Sequence, residues 1–505
     1  MLELLLQAAF DIFSLQTLMF LMLGVLVGLV FGVIPGLGGT TALAILMPLT
    51  FGMEPIDAFA MSGGIMGAVG AGGAITAILL NAPGTAPNAA TCLDGYPLAR
   101  QGRAAEALGA TSAASALGGM FGVITLLMVL PVAKELILLF GPPEFFLLAV
   151  FGLVTIALSD SDNLLRGLIT AGIGLMLASI GYDSVSGGVR FTYGSDYLWD
   201  GIPLVPSLVG LFGITEMIRL SISGGSVAAD TSSVHLHGVM LGVRATFRHW
   251  KAVIRGSIIG TLVGAVPGVG GTVATFISYS LTKKADPHPE TFGTGRIEGV
   301  IAPEAANNAK DGGGLLPTLA FGIPGSSEMA VFLGILVLHG MQPGPAMLLQ
   351  NEREIYGLIL ALTFSALLSA VVSLVWIRWL AMITLVKGQI LAPLVIAVSL
   401  VGTYAIDSRP GDVLLAAAMG VLGYLLVRFN YPRLPLVIAL VLGETAERGF
   451  LQSMMIGHGE WGIFVATPTS IVMVLLILLS LGWSIVPALI KIFTKHKQGP
   501  ADEKA

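Results

Sequence analysis

The chain has 505 residues, 55% of them hydrophobic and only 11% charged, with mean hydropathy +0.89; soluble domains carry about 25% charged residues, so a soluble globular fold is excluded. A net charge of −5 spread over loops excludes a basic surface for nucleic acid. One cysteine, Cys92, excludes an internal disulfide framework and a cysteine-rich metal site. At ~20 residues per span the apolar runs leave room for roughly ten to twelve crossings, so the expected class is an all-α polytopic integral membrane protein. Its 66 glycines and 26 prolines imply close helix contacts and broken helices or re-entrant hairpins.

Met1 to Thr17 carries Glu3 and Asp11 and no Lys or Arg. That is the wrong charge for a signal peptide, so the first apolar run, Leu18–Ile34, is expected to stay as a span. Pro35-Gly36-Leu37-Gly38-Gly39-Thr40-Thr41 follows, then an apolar run to Phe51. A glycine-rich run from Ser62 to Gly73 leads through Leu80 into Asn81-Ala82-Pro83-Gly84-Thr85-Ala86-Pro87-Asn88. A polar loop is expected from Asp94 to Glu106. Further spans are expected over Leu108–Val132, Phe145–Leu158, Leu164–Ile180 and Ile202–Ile218, with an ordered external loop from Tyr182 to Asp200.

The hydrophilic stretch Ser221 to His249 reads as a link between two parts, 1–235 and 236–505. Arg244, Arg248, Lys251 and Arg255 place it in the cytoplasm, and Lys491, Lys495 and Lys497 place the C-terminus there too. His235 and His237, without acidic or thiol neighbours, read as solvated loop rather than a metal site.

Beyond the link the pattern restarts. Gly264–Thr272 repeats Gly32–Thr40 at an offset of 232 (Pro267 against Pro35), and Gly313–Ser326 repeats Gly72–Thr85 at an offset of 241 (Pro324 against Pro83). Two landmarks in the same order make an internal repeat. Paired interrupted segments of this kind point to the binding site of a transporter. Inverted halves are the commoner design, though the span boundaries leave the orientation open. After Glu354 the runs Ile355–Ile377, Ile390–Ile406, Val413–Val427, Leu434–Leu442 and Ile471–Ile490 lack the Gly-Pro signature and read as scaffold.

The stretch Asn307 to Ser327 is expected to be irregular. Pro317 and Pro324 lack amide donors, and Gly312, Gly313, Gly314, Gly322 and Gly325 permit angles a helix does not use. Irregular backbone at membrane depth persists only where protein buries it or where it lines a wet cavity. A helix stopped there offers free amides and a partial positive charge, which receive a carboxylate without a buried Arg. The candidate substrate residues are Asn81, Pro83, Gly84, Thr85 and Asn88 in the first half, and Asn307, Asn308, Gly322, Pro324, Gly325, Ser326 and Ser327 in the second. An ordinary interfacial turn is the plainer alternative.

Gly36, Gly39, Thr40, Thr41, Gly271 and Thr272, with Asp311, form a candidate cation site, since freed carbonyls and hydroxyls suit Na⁺. Close helix packing through small residues explains the same glycines, and the two readings are compatible. Glu298, Glu304, Lys310 and Asp311 are harder to explain as bulk structure, because charges at bilayer depth face a pathway or a partner. Lys310 is expected beside Asp311 or Glu304. The plainer alternative makes this group the edge of a loop over 293–302.

The segments Ala302-Pro303-Glu304-Ala305-Ala306-Asn307-Asn308, Gly322-Ile323-Pro324-Gly325-Ser326 and His339-Gly340-Met341-Gln342-Pro343-Gly344-Pro345 resemble the large membrane subunit of tripartite tricarboxylate transporters, the TctA family. So do Ile78–Thr85, Asp94-Gly95-Tyr96-Pro97 and Arg190-Phe191-Thr192-Tyr193-Gly194, in the expected order; Ala74 departs from the pattern, which has serine there. The resemblance implies a bacterial inner-membrane subunit working with a small four-helix membrane partner and a periplasmic substrate-binding protein. It implies cation-driven uptake of citrate-like carboxylates, without cofactor or ATP, the coupling ion being Na⁺ or H⁺. The chain agrees in lacking a Walker A pattern. A stand-alone ion–carboxylate symporter is the alternative within transport. An intramembrane enzyme would need a metal motif such as His-Glu-x-x-His or a nucleophile–base pair at depth, and neither is present.

Overall fold

The computed structural model describes residues 2–157, 164–183, 187–223, 238–383 and 388–497, almost wholly as helix. Asp160, Asp162, His235 and His237 lie outside the described residues, as do the side chains of Lys491, Lys495 and Lys497. Among the described residues six helices are long and apolar enough to cross a membrane, and six more are apolar but shorter. The protein is therefore an all-α, multi-pass membrane protein.

The chain forms two compact units, neither continuous in sequence. One comprises Leu138–Ile202 and Leu426–Ala505. In it a short hairpin pairs Gly181–Tyr182 with Val189–Arg190, inside the loop expected over 182–200. Arg190 holds both carboxylate oxygens of Glu447, at 2.6 and 2.8 Å.

The other unit comprises Met1–Ile137 and Pro203–Leu425. Its first half contains α1 (Leu2–Ile12), α2 (Leu15–Val33), α3 (Gly38–Leu46), α4 (Pro55–Leu80), α5 (Ala89–Arg100) and α6 (Ala104–Ile137). Its second half contains α7 (Trp250–Gly264), α8 (Gly270–Lys284), α9 (Glu298–Phe321), α10 (Ser327–Leu338) and α11 (Glu352–Val375). In lipid the apolar surface of a helix gains little from leaving its surroundings, so association rests on close packing and interhelical hydrogen bonds. The sequence supplies this with glycine every fourth residue. Gly24, Gly28 and Gly32 of α2 press on the backbone of α4 at Met61, Ile65 and Val69. Gly256, Gly260 and Gly264 of α7 press on α9 at Ala302, Ala306 and Lys310. These glycine positions stand 232 apart, and their contact positions 241 apart, the same offsets that relate the sequence landmarks.

Two sequence expectations need correction. Residues 307–321 are regular helix within α9, despite Gly312, Gly313, Gly314 and Pro317. The glycines there serve contact rather than breakage: Gly312 lies on the backbone of Gly122, and Gly313 on that of Thr261. The break comes only at Gly322–Ser326. The polar loop expected from Asp94 is instead mostly α5, and Asp94 is fully buried. It accepts the Tyr279 hydroxyl at 2.9 Å and the amides of Gly293, Gly295 and Arg296 at 2.7–2.9 Å, which fixes the chain entering α9.

A candidate site where four interrupted helices meet

Four breaks divide the unit of Met1–Ile137 and Pro203–Leu425. α2 stops at Val33 and α3 starts at Gly38, with Gly36 (φ +89°) and Gly38 (φ +65°) in the left-handed region that glycine tolerates. α4 ends on Asn81 and α9 on Gly322, both left-handed caps, at φ 53° and 69°. The breaks are tied in pairs. Gly36 donates its amide to the Gly84 carbonyl (3.3 Å), and Gly268 donates to Gly325 (3.2 Å). Gly84 lies against Gly32 and Gly73, and Gly325 against Gly264 and Gly314, so the turns fit only without side chains. Ser326 starts α10 by accepting the Met329 amide at 3.3 Å.

Lys310 sits where these breaks converge. Its ammonium is 2.6 Å from Asp311 Oδ1 and 3.4 Å from Glu328 Oε2, and all three side chains are largely buried. Glu328 lies against Gly39 at the start of α3, where a side chain would collide with its carboxylate. The Lys310 methylenes lie against Gly271 at the start of α8, and a Cβ there would stand 3.0 Å from Pro87. A Cβ on Gly38 would stand 3.7 Å from the Thr85 methyl. Gly39 and Gly271 are equivalent at offset 232, as are Pro87 and Glu328 at offset 241. Each half thus lays a post-break residue against the other half's Gly-Gly turn. Two carboxylates face one ammonium, a net charge of about −1 that suits a further cation.

One and two turns earlier on α9 lie Asn308, Asn307 and Glu304, all buried. Asn308 donates to the Gly67 carbonyl at 3.3 Å. Asn307 lies beside Gly70, and its Nδ2 has no hydrogen-bond partner. The Glu304 carboxylate receives Asn88 Nδ2 (3.0 Å), the Thr91 hydroxyl and Ser115 Oγ (3.2 Å). The Thr85 hydroxyl in turn donates to Asn88 Oδ1 at 2.5 Å. At offset 241 the first half has Gly63, Met66, Gly67, Val69 and Gly70 in place of Glu304, Asn307, Asn308, Lys310 and Asp311. At these five positions one half supplies polar side chains and the other only small or apolar ones.

Of the residues expected from sequence, Gly39, Thr85, Gly271 and Asp311 gather around Lys310, while Asn88, Asn307 and Asn308 line the next turns. Asn81 is exposed and, like Gly322, caps a helix end; Gly36, Pro83, Gly84, Pro324 and Gly325 shape turns. The Ser326 hydroxyl is occupied in capping, and Ser327 is the first residue of α10. Thr40 is half-buried in α3 and Thr41 buried, and Thr272, half-buried in α8, gives its carbonyl to Thr275. Lys310 pairs with Asp311 and Glu328, not Glu304. Glu328, Thr91 and Ser115 went unforeseen. Glu328 was legible, as the only charge in α10, directly after Ser326-Ser327. Thr91 and Ser115 carry no sequence signal, because hydroxyls are common in packed membrane helices.

Helices interrupted around buried charges, within a multi-pass bundle, are the pattern that membrane transporters with broken helices use. Residues 18–438 match the model of the tripartite tricarboxylate transporter TctA family. The chain belongs to that family and is a subunit of a tricarboxylate transporter. It is 36% identical over 456 residues, 88% of both chains, to an uncharacterized 52.8 kDa protein of the TAR-I ttuC′ 3′ region of Agrobacterium vitis. It is also 35% identical over 210 residues to an uncharacterized protein of the TAR-II ttuC′ 3′ region of that organism, covering 41% of this chain and 86% of the relative. No solved structure matches the chain.

Proposed function

We propose that this chain is the large transmembrane subunit of a tripartite transporter that drives citrate-like carboxylates inward across the bacterial inner membrane with a Na⁺ or proton gradient. Its partners in this reading are a small four-helix membrane subunit and a periplasmic binding protein that delivers the substrate. The observation that carries the reading is Lys310, held between Asp311 and Glu328 where all four breaks converge. A substrate carboxylate approaching this point meets one ammonium and the free amides that open α3, α8 and α10. The Gly36–Thr41 and Gly268–Thr272 turns supply carbonyl and hydroxyl oxygens for a co-transported cation. The matched glycine seams and break-to-break hydrogen bonds support two repeated halves, with the site between them exposed to each side in turn.

The test is uptake of radiolabelled citrate into proteoliposomes holding both membrane subunits, with the binding protein outside and an inward Na⁺ or proton gradient imposed. Accumulation is expected with the gradient and not without it. Asn308→Ala and Gly325→Leu should insert normally and transport nothing. Wild-type rates in both would remove the site from this position, and undiminished uptake without the binding protein would favour the stand-alone symporter.

A further inference from the structure

Several carboxylates are buried in the unit of Met1–Ile137 and Pro203–Leu425, and Glu304 stands apart from those described next in its source of stabilisation. Asp311 is held by Lys310. Asp57 accepts Thr17 and Gln16 in the first turn of α4, where the helix dipole favours an anion. Asp94 binds three backbone amides ahead of α9. Glu304 differs. It has no exposure, it stands two turns inside α9, and no cationic group pairs with it among the described residues. Every partner it has is a neutral amide or hydroxyl. An uncompensated carboxylate in such a place costs many times what three neutral hydrogen bonds return, so it holds a cation or takes a proton.

We propose that Glu304 carries a further monovalent cation, proton or Na⁺, apart from any held by the Gly36–Thr41 and Gly268–Thr272 turns, whose movement drives transport. The oxygens in contact here are of the kind a small hard cation accepts: the carboxylate and the Thr91 and Ser115 hydroxyls, with the Gly70 carbonyl next to them through Asn88 Nδ2 at 3.1 Å, and the Thr85 hydroxyl one step further, held on Asn88 Oδ1. The unpartnered Asn307 Nδ2 lies beside Gly70, one turn further along α9. Asn88 and Thr85 belong to the segment just after the break in α4. The ligands therefore join that broken segment to α9 and α6. Without its cation Glu304 is stable only once this segment opens to water, which ties release of the ion to movement of the break. The proposal deepens the cation-coupled reading above.

Its test needs no substrate. The full chain, purified in detergent, is unfolded thermally in NaCl against choline chloride at constant ionic strength, and separately across pH 5 to 8. Cys92 on α5 is the titratable neighbour that the Glu304 charge reaches; Ser115, Gly70 and Gly260 face this part of α9 from α6, α4 and α7 without charge, and Lys310 and Asp311, further along α9, pair with each other. A Cys92→Ser background removes that titration. Wild type should be stabilised by Na⁺ or by acidification, the effective probe naming the ion, and Glu304→Gln should lose that response. If Glu304→Gln does not fold, Thr91→Val should shift the half-effect concentration about tenfold, the equivalent of one lost hydrogen bond to a charged group: upward for Na⁺, which loses a ligand, and downward for the proton, because the Thr91 hydroxyl donates to the carboxylate and favours its anion. A wild type indifferent to both probes, or a Glu304→Gln or Thr91→Val variant that responds as wild type does, overturns the proposal. A cation response that depends on Glu304, in a protein that fails to accumulate citrate, would leave this proposal standing and sink only the transport reading.

Discussion

Lys310 is the residue whose removal should be most telling, because its own side chain is buried between the two acids it neutralises, Asp311 and Glu328. Breaking a buried pair from one side leaves uncompensated charge and costs roughly 3–5 kcal/mol. Lys310→Met should therefore lower the unfolding midpoint sharply, and Lys310→Met with Asp311→Asn should recover part of the loss. Equal midpoints for the two variants would mean that the three groups are not electrostatically joined. Outside the spans, Asp286 offers a pH-dependent counterpart. Burial alone would raise its carboxyl, but the His288 amide at 2.9 Å and the Arg296 guanidinium at 3.2 Å outweigh that and hold it below the ordinary carboxylate range. A folded value below the unfolded one contributes stability above the unfolded value, and that contribution is lost as pH falls through the folded one. Acid destabilisation below about pH 4 should hence be shallower in Asp286→Asn than in wild type, measured by thermal unfolding at each pH.

At the scale of the helix, glycine has two opposite uses here, and composition alone does not separate them. Gly322 and Gly36 permit left-handed turns, whereas Gly312 and Gly313 sit in regular helix against a neighbouring backbone. The membrane class and the helix end after Leu80 were legible because they follow from local pattern. The helicity of 307–321 was not, since it depends on which element faces those glycines. Asp94 misled for the same reason: a lone acid beside arginines looks solvated until its partners from 279 to 296 arrive. The distinction is measurable. Gly313→Ala puts a methyl into the Thr261 carbonyl and should cost roughly 1–3 kcal/mol. Gly172→Ala, in the helix Leu164–Ala178, meets nothing within 4 Å and should be neutral or stabilising by up to about 1 kcal/mol. Matching unfolding midpoints for the two would leave the glycine seam without energetic weight.

For the whole molecule, the crossed contacts matter more than any single pair. Glu328 touches Gly39 and Pro87 touches Gly271, so each half closes the other's turn, yet of these two post-break residues only Glu328 is charged. Such an arrangement can open by parting the halves at these contacts, which requires little rearrangement within either one. A cross-link placed there should then stop the cycle without disturbing the fold. With Cys92 replaced by serine, Pro87→Cys and Gly271→Cys bring two thiols into disulfide range, since a Cβ on Gly271 already stands 3.0 Å from the Pro87 ring. Oxidation should abolish whatever uptake into proteoliposomes the reduced pair supports and a reductant should restore it, while neither single cysteine changes its rate between the two conditions, Gly271→Cys starting from a lower rate because it crowds the Lys310 methylenes. Full uptake by the oxidised pair, with the cross-link verified by mass, would show that the halves stay together during transport and that access to Lys310 changes by another route.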